Sequence, residues 1–247
     1  MRVLNKEKSI SNSVSFSTVR KITIDKGVDQ LDRFFAFSFQ ELPFVVISLV
    51  VAFTVHEFAH AAVAYKFGDS TAKNQGRLTL NPVSHLDPIG TLFLLVAGFG
   101  WARPVPVNRS RFRNPRLAGV FVSLAGPLSN FLIAFVSYLI MFLFIHTGSD
   151  SALPQFFVDL LNMMLWLNLV LFVFNLLPFP PLDGYRIIED LVSPSFRVKM
   201  SQYEPYGVLI FFILVITPLD RYTIHPIFQT IVPAILQGFS SLFFRFF

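Results

Sequence analysis

Residues 42–64 read LPFVVISLVVAFTVHEFAHAAVA, an apolar run that carries three ionisable side chains in its second half, His56, Glu57 and His60. A helix of this length spans about 35 Å at about 1.5 Å per residue, enough to cross a hydrocarbon core about 30 Å thick. Ionisable groups inside a membrane helix are costly unless other groups satisfy them. The run therefore predicts a membrane helix that carries a functional site.

Other apolar runs predict the rest of a helical bundle. Three stretches free of Asp, Glu, Lys and Arg are long enough to span a membrane: Leu117–Ser149, Leu160–Leu182 and Tyr222–Phe244. Pro205–Leu219 is shorter, and we interpret it either as a span supported by its neighbours or as a hairpin with the last segment. Pro88–Ala102 is shorter than a span and predicts a re-entrant or β-like loop, because irregular backbone at membrane depth must be covered by protein.

The expected fold is therefore an all-α polytopic membrane protein, a bundle of about four to five transmembrane helices with the re-entrant loop next to the site. Residues 1–41 contain much Ser, Asn and Lys and predict an N-terminal arm that ends in a short interfacial helix. Residues 42–191 form the expected core, and residues 192–247 form C-terminal membrane segments.

Composition excludes several classes of protein. Of the 247 residues 53% are hydrophobic and 14% are charged, whereas an ordinary soluble domain has about 25% charged residues. The chain has no Cys, which excludes a disulfide framework, Cys-ligated zinc, an iron–sulfur cluster and a thiol nucleophile. A metal site in this chain must be built from His and carboxylate side chains.

The distribution of basic residues predicts the orientation in the membrane. The loop Tyr65–Arg116 holds eight of the 20 Lys and Arg residues, whereas His146–Pro154 holds none. The positive-inside rule then places the basic loop in the cytoplasm, and the arm at 1–41, which carries seven Lys and Arg, contradicts the rule at one end. We expect a multi-pass protein of the cell membrane whose site lies towards the cytoplasm. The net charge of +5 is interpreted as a topology signal and not as a nucleic-acid surface.

The pattern His56-Glu57-x-x-His60 is typical of zinc hydrolases. Two histidines four residues apart lie on one helical face, so both imidazoles can reach one tetrahedral ion. Glu57 lies beside that face, where it can reach a metal-bound water. The alternative, a buried pair of packing histidines, is disfavoured because the surrounding bilayer makes unsatisfied polar groups expensive.

The residues alone leave the third ligand open. Asp183 follows an uncharged run and three prolines in four positions, which stop the helix and force extended backbone. It would end near the cytoplasmic side, as His60 does. His85 lies on the same side and is a competing ligand, whereas His146 and His225 fall towards the opposite face.

These residues together resemble the site-2 proteases, which are intramembrane zinc metalloproteases. The resemblance rests on the His56–His60 motif, on Asn175 eight residues before the Leu-Asp-Gly of Asp183, and on Gly126-Pro127-Leu128-Ser129-Asn130 between them. The stretch from Gly76 to Asn108 is similar to the compact bacterial members, which lack PDZ and CBS domains.

The resemblance implies one Zn²⁺ ion per chain, held by His56, His60 and Asp183. It implies Glu57 as the general base and Asn175 as a residue that contacts the substrate or its oxyanion. His85, Asp87 and Asn130 are expected around the site as supporting residues, with Asn130 also packing helices together.

The expected activity is zinc-dependent hydrolysis of peptide bonds in or near transmembrane segments of other proteins. We expect the re-entrant stretch to bind the unwound substrate as an edge strand, through Gly90, Leu94 and Gly98. The expected partners are a membrane-protein substrate and the lipid bilayer, with no nucleic acid and no identifiable adaptor. The alternative is a non-catalytic metal-binding membrane protein that binds clients as a pseudoprotease; Glu57 argues against it, because a binding protein does not need a carboxylate next to its first ligand.

Overall fold

The computed structural model describes residues 37–97, 100–147 and 154–246. These ranges contain nine α-helices: α1 Leu42–Lys66, α2 Thr71–Asn74, α3 Pro88–Ala97, α4 Pro115–His146, α5 Gln155–Asn175, α6 Asp183–Leu191, α7 Pro194–Ile216, α8 Asp220–Thr223 and α9 His225–Phe246. The predicted N-terminal arm lies outside the described residues up to residue 36.

Four of these helices are long and apolar enough to cross a membrane, namely α1, α4, α5 and α9. They contain 25, 32, 21 and 22 residues, and at about 1.5 Å per residue each reaches or exceeds the thickness of the hydrocarbon core. Within the described ranges no strand is assigned. The prediction of an all-α polytopic membrane protein with about four to five spanning helices is confirmed.

The segment predicted at Pro205–Leu219 is the second half of a longer helix. Helix α7 begins at Pro194 and continues through Pro205 to Ile216. Its first half carries Arg197, Lys199 and Glu204, so α7 is not among the helices apolar enough to span. The first half of α7 was not predicted, because its charged residues interrupt the uncharged run that predicts a membrane helix.

Helices α1, α4 and α5 pack against one another and form the core of the bundle. Helix α9 covers the far end of α4 through an aromatic cluster that contains Tyr138, Phe142, Phe239 and Phe243. Aromatic pairs of this kind stabilise a fold beyond the apolar area that they bury. The core thus holds α1, which carries the histidine motif, in contact with two neighbouring helices.

The expectation of a β-like loop over Pro88–Ala102 is wrong for its first ten residues, which form helix α3. Pro88 begins this helix, and the side chain of Asp87 caps it by accepting the backbone N–H of Gly90 at 2.8 Å. Leu94 is buried against Val45 and Leu49 of α1. A short apolar run fits a helix or a strand equally well, and here the cap and the packing decide for the helix.

Residues 100–108 belong to neither helix nor strand, and Asn108 at their end has extended dihedral angles; we call this stretch the extended segment. It packs closely on the start of α3, since a Cβ built on Gly90 would lie 2.1 Å from the Trp101 carbonyl oxygen. The N–H of Arg103 donates to the His85 carbonyl, and a guanidinium nitrogen of Arg77 donates to the Arg103 carbonyl, at 2.8 and 2.6 Å. These contacts fix the segment beside α1.

Candidate metal centre and active site

Three side chains from two distant parts of the chain meet at one point. Nε2 of His56 and Nε2 of His60 lie 3.2 and 3.3 Å from Oδ2 of Asp183, and 2.9 Å from each other. The histidines belong to the spanning helix α1, and Asp183 is the first residue of α6. Among the described residues these three form the group of ligand atoms suited to a metal ion.

The directions of the surrounding hydrogen bonds leave lone pairs of both histidines and of the Asp183 carboxylate pointing at this one place. Nδ1 of His60 lies 2.6 Å from the carbonyl oxygen of Val122, which can only accept, so Nδ1 carries the proton. Nδ1 of His56 likewise donates to Oδ1 of Asn130 at 2.6 Å. Both Nε2 lone pairs therefore face the Asp183 carboxylate, whose buried Oδ2 has no hydrogen-bond donor.

Such a convergence of acceptors fits a cation. Ligand atoms about 2.0–2.2 Å from a tetrahedral zinc ion stand about 3.3–3.6 Å apart. The two separations that involve Asp183, 3.2 and 3.3 Å, are close to this range, and the 2.9 Å between the two histidines is shorter. Nitrogen and carboxylate oxygen are both ordinary zinc ligands. The donor set, its geometry and the unsatisfied Asp183 oxygen all fit one zinc ion.

Gly126 of α4 lies directly against this point. A Cβ built at this glycine would lie 2.4 Å from Nε2 of His60 and 2.5 Å from Nε2 of His56. The backbone of α4 can approach the ligand atoms only because residue 126 has no side chain. The packing partner of Gly126 is therefore the ligand pair itself.

Glu57 lies in the same cavity as the ligands. Its Oε2 accepts the backbone N–H of Val105 at 2.8 Å, so the extended segment holds the carboxylate from outside the helix. Its side chain is 7% exposed, which leaves few competing water contacts. A held carboxylate beside a metal point is the arrangement that a general base requires.

The structure places the competing third ligands away from the centre. His85 is fully buried, and its Nε2 bonds the carbonyl oxygen of Thr79 at 2.8 Å. His146 stacks on Phe142 at the far end of α4, and His225 is exposed at the start of α9. Of the four candidates only Asp183 contacts the histidine pair.

The remaining predicted residues are distributed around the site. Asn175 lines the cavity, and its Nδ2 donates to the Leu171 carbonyl at 2.9 Å. His85 and Asp87 hold the loop before the extended segment, through the backbone contact to Arg103 and the α3 cap.

Of the three residues predicted to bind substrate, the two that the structure describes, Gly90 and Leu94, are buried. Gly90 is covered by Trp101, Leu94 is buried against α1, and Gly98 lies outside the described residues.

The site opens into a cavity of about 760 Å³. Its walls come from α1, α4, α5, α7, the extended segment and the start of α6; the polar residues among them are His56, Glu57, His60, Arg109, Ser123, Asn130, Asn175, Asp183, Arg186 and Glu189. A cavity of this size, with polar side chains around the ligands, can admit water to a buried metal site inside the helical bundle.

Three contributors were not found from the sequence. The Val105 N–H and the Val122 carbonyl are backbone groups, so the type of residue at these positions does not indicate their role. Asn168 is a fully buried amide of α5 that bonds Asn130. Its signal was available, because a polar side chain in an uncharged membrane helix is expensive and is usually functional.

A buried ionic cluster holds the other end of α6. Arg109 and Arg197 both pair with Asp190, at 2.9 and 3.3 Å, and Arg186 pairs with Glu189 at 3.1 Å. Burial raises the pKa of Asp190 above its usual range in spite of the two guanidinium groups. For Glu189 burial also raises the pKa, but the bond from Arg186 and the charge of Arg109 outweigh it and hold that pKa low. The cluster connects α6, and with it Asp183, to Arg109 just after the extended segment and to Arg197 of α7.

Comparison with known proteins places these features in context. The model of "Peptidase family M50" matches residues 143–218. YwhC of Bacillus subtilis is 54% identical over 219 residues, which cover 86% of this chain and 98% of the relative. Rip2 of Mycolicibacterium smegmatis is 28% identical over 179 residues, 70% and 67% of the two chains. MJ0611 of Methanocaldococcus jannaschii is 30% identical over 175 residues, 67% and 82% of the two chains. Each of the three is named "Putative zinc metalloprotease", and no solved structure matches the chain.

Proposed function

Because this chain belongs to peptidase family M50, the site-2 proteases, and is a zinc metalloprotease, we propose that it cleaves other membrane proteins within or beside their transmembrane segments. The observation that carries the proposal is the position of the ligands. His56 and His60 lie inside a helix that is long and apolar enough to span, and His60 lies six positions before its last residue, Lys66. Six residues correspond to about 9 Å of helix, so the ligands lie below the membrane surface.

We propose that the site faces the cytoplasmic half of the membrane. Lys66 ends α1 at the start of the basic loop Tyr65–Arg116, which the positive-inside rule assigns to the cytoplasm. His60 is closer to this end of α1 than to the other. The proposed protein is integral to the cell membrane and multi-pass, with its site reached from the cytoplasmic side.

Zinc, when bound by His56, His60 and Asp183, lowers the pKa of a coordinated water and polarises the substrate carbonyl. Glu57 accepts the proton from the attacking water and returns it to the leaving nitrogen. The Val105 N–H keeps one carboxylate oxygen of Glu57 in place, at 2.8 Å, and leaves the other oxygen for the proton transfer.

Asn175 lines the cavity and is the proposed donor to the substrate carbonyl. One proton of its Nδ2 is donated to Leu171, and the second is available to an oxygen atom in the cavity. A single donor to a developing oxyanion is worth about 3 kcal/mol. We propose this role for Asn175, with the substrate carbonyl between it and the metal ligands.

The proposed substrate is a transmembrane segment that unwinds locally, because peptide groups in an intact helix are bonded internally. The extended segment over 100–108 borders the cavity, but Pro104 and Pro106 have no N–H to donate. This edge can therefore offer carbonyl acceptors and not a full ladder of donors. Docking of the substrate as an added strand is less favoured than capture by the walls of the cavity.

The alternative of a client-binding pseudoprotease is not favoured. A protein that only binds zinc has no use for a second carboxylate in the cavity, and here Glu57 is present and is held by Val105. The relatives that match over most of this chain are named as proteases.

The test combines metal analysis with cleavage by the purified full-length protein. We expect Glu57→Gln to retain one zinc ion per chain and to lower the rate of cleavage of a model transmembrane substrate by about 100- to 10 000-fold, the usual contribution of general acid–base catalysis. Glu41→Gln is the matched control, since Glu41 bonds Ser38 at the other end of α1.

Two outcomes would contradict the proposal. Cleavage that survives Glu57→Gln would remove Glu57 from the mechanism. Cleavage of a soluble unfolded polypeptide with no cleavage of the transmembrane substrate would leave a metalloprotease but reject an intramembrane substrate.

A further inference from the structure

The bond between Asn130 and the metal ligand His56 depends on a second amide, Asn168, which bonds Asn130 and does not contact His56. Asn168 of α5 is fully buried, and its Oδ1 accepts the Nδ2 proton of Asn130 at 2.9 Å. Its own Nδ2 donates to the backbone carbonyl of Met164 at 2.8 Å. A chain of hydrogen bonds thus runs from α5 through Asn130 of α4 to His56 of α1.

The direction of every bond in this chain is fixed from the Met164 end. A carbonyl oxygen can only accept, so the NH₂ group of Asn168 must face Met164 and its Oδ1 must face Asn130. Asn130 must then turn its NH₂ group to Asn168 and its Oδ1 to His56. His56 consequently carries its proton on Nδ1, and its Nε2 presents a lone pair to the metal point.

Without Asn168 this direction would be weakly determined. An amide turned by 180° about its last bond has nearly the same shape, and a reversed Asn130 would offer N–H groups to Nδ1 of His56. That would favour the tautomer of His56 with the proton on Nε2, and Nε2 would then have no lone pair for the metal ion. The other acceptor for Asn130, the carbonyl of Ala52, lies at 3.4 Å and gives a weaker bond than the one at 2.9 Å.

The second histidine provides a comparison within the same site. His60 bonds the Val122 carbonyl directly, so a backbone group fixes its tautomer in one step. His56 has a side-chain amide in that place, and an amide has a donor end and an acceptor end. The additional residue is needed only where the direct partner can be reversed.

We propose that Asn168 is a positioning residue for the zinc site, which fixes the orientation of Asn130 and through it the metal-binding tautomer of His56. It acts on the ligand and does not contact substrate. The inference concerns the zinc site of the proposed peptidase and is tested by zinc binding, so a protein that binds zinc but cleaves no membrane substrate would still decide it.

The test measures the dissociation constant for zinc of the full-length protein in detergent, by competition with a chromophoric chelator. Loss of a residue that supports a metal ligand typically weakens metal binding by about 10- to 100-fold, and we expect Asn168→Leu to fall near the lower end. Asn130→Leu should weaken binding at least as much. The double variant should bind as Asn130→Leu does, because Asn168 acts only through Asn130.

A control separates positioning from packing. Leu169 is the fully buried neighbour of Asn168 in α5 and belongs to the aromatic cluster. Leu169→Ala should lower the thermal stability of the metal-free protein, yet leave zinc affinity within about twofold, since cavity formation alone costs stability. The visible absorption of the Co²⁺-substituted protein adds a readout of ligand geometry, and we expect it to change in Asn168→Leu and not in Leu169→Ala.

Three results would overturn the inference. In the first, the zinc affinity of Asn168→Leu stays within twofold of that of the parent. In the second, the losses of zinc affinity in the two single variants add up in the double variant. In the third, Leu169→Ala loses as much zinc affinity as Asn168→Leu and shows the same change in the Co²⁺ absorption. The first would show that Ala52 suffices to orient Asn130, the second that Asn168 acts by another route, and the third that its effect is packing.

Discussion

Gly126→Ala is the smallest change that should damage the zinc site. The new Cβ would lie 2.4 Å from Nε2 of His60 and 2.5 Å from Nε2 of His56, where roughly 3.5 Å is a comfortable separation. Helix α4 would have to retreat from α1 by about 1 Å, or both rings would have to turn. Overpacking of this kind costs about 1–3 kcal/mol, and at about 1.4 kcal/mol per tenfold change zinc affinity should fall about 5- to 150-fold.

The assay is chelator competition on the purified protein, together with its zinc content. Gly238→Ala is the matched control, since nothing lies within 4 Å of a Cβ built at Gly238 of α9, and its affinity should not change. Alanine favours a helix over glycine by about 1 kcal/mol, so a loss cannot be attributed to unwinding of α4. If Gly126→Ala binds zinc as tightly as the parent, the ligand atoms do not meet at the point described.

Two further predictions concern the loops. Burial raises the pKa of Asp69, but hydrogen bonds from Thr71 and Asn108 lower it more, and the net pKa lies below its usual range. The charged form of Asp69 therefore stabilises the folded protein at pH values above the unfolded pKa of about 4, and this stabilisation is lost as the pH falls through the lower pKa of the folded state. The difference in melting temperature between the parent and Asp69→Asn should accordingly shrink as the pH is lowered below about 4. A difference that does not depend on pH would contradict this. Because the chain contains no Cys, single substitutions Arg113→Cys and Gln155→Cys report topology, and an impermeant maleimide applied to intact cells should label position 155 and not position 113. The reverse labelling would invert the proposed orientation.

The spanning helices and the histidine motif could be predicted because both depend on local information. The length of an uncharged run sets whether a helix can cross the membrane, and four-residue spacing sets which side chains share a face. Those two rules predicted α1 with its ligands and the spans α4, α5 and α9. The Asp183 interpretation needed the family resemblance as well, because the residues alone left His85 open.

The features that the sequence did not predict depend on partners distant along the chain. Pro88–Ala97 is a helix because Asp87 caps it and α1 receives Leu94, whereas its composition suits a strand as well. The Val105 N–H that holds Glu57 comes from a residue 48 positions away. Asn168 carried a signal in its polarity, but nothing in the sequence states that its partner is Asn130.

Different interactions position the two parts of the metal centre: hydrogen bonds orient the two histidines, and ion pairs hold the helix that carries Asp183. The two histidines are only 8% exposed, so few water contacts can compensate a misdirected bond, and acceptors such as Val122 and Asn130 decide each ring orientation. Asp183 comes from the short helix α6, which is too small to hold itself, and Arg109 and Arg197 anchor its far end through Asp190. The side chains of Arg109 and Arg197 are 28% and 29% exposed, whereas that of Asp190 is 0% exposed, so the anchor lies where charged groups still reach water. A site assembled from both kinds of support is therefore restricted to the zone where the apolar bundle meets the loops, and there a buried ligand set and a supply of water can coexist.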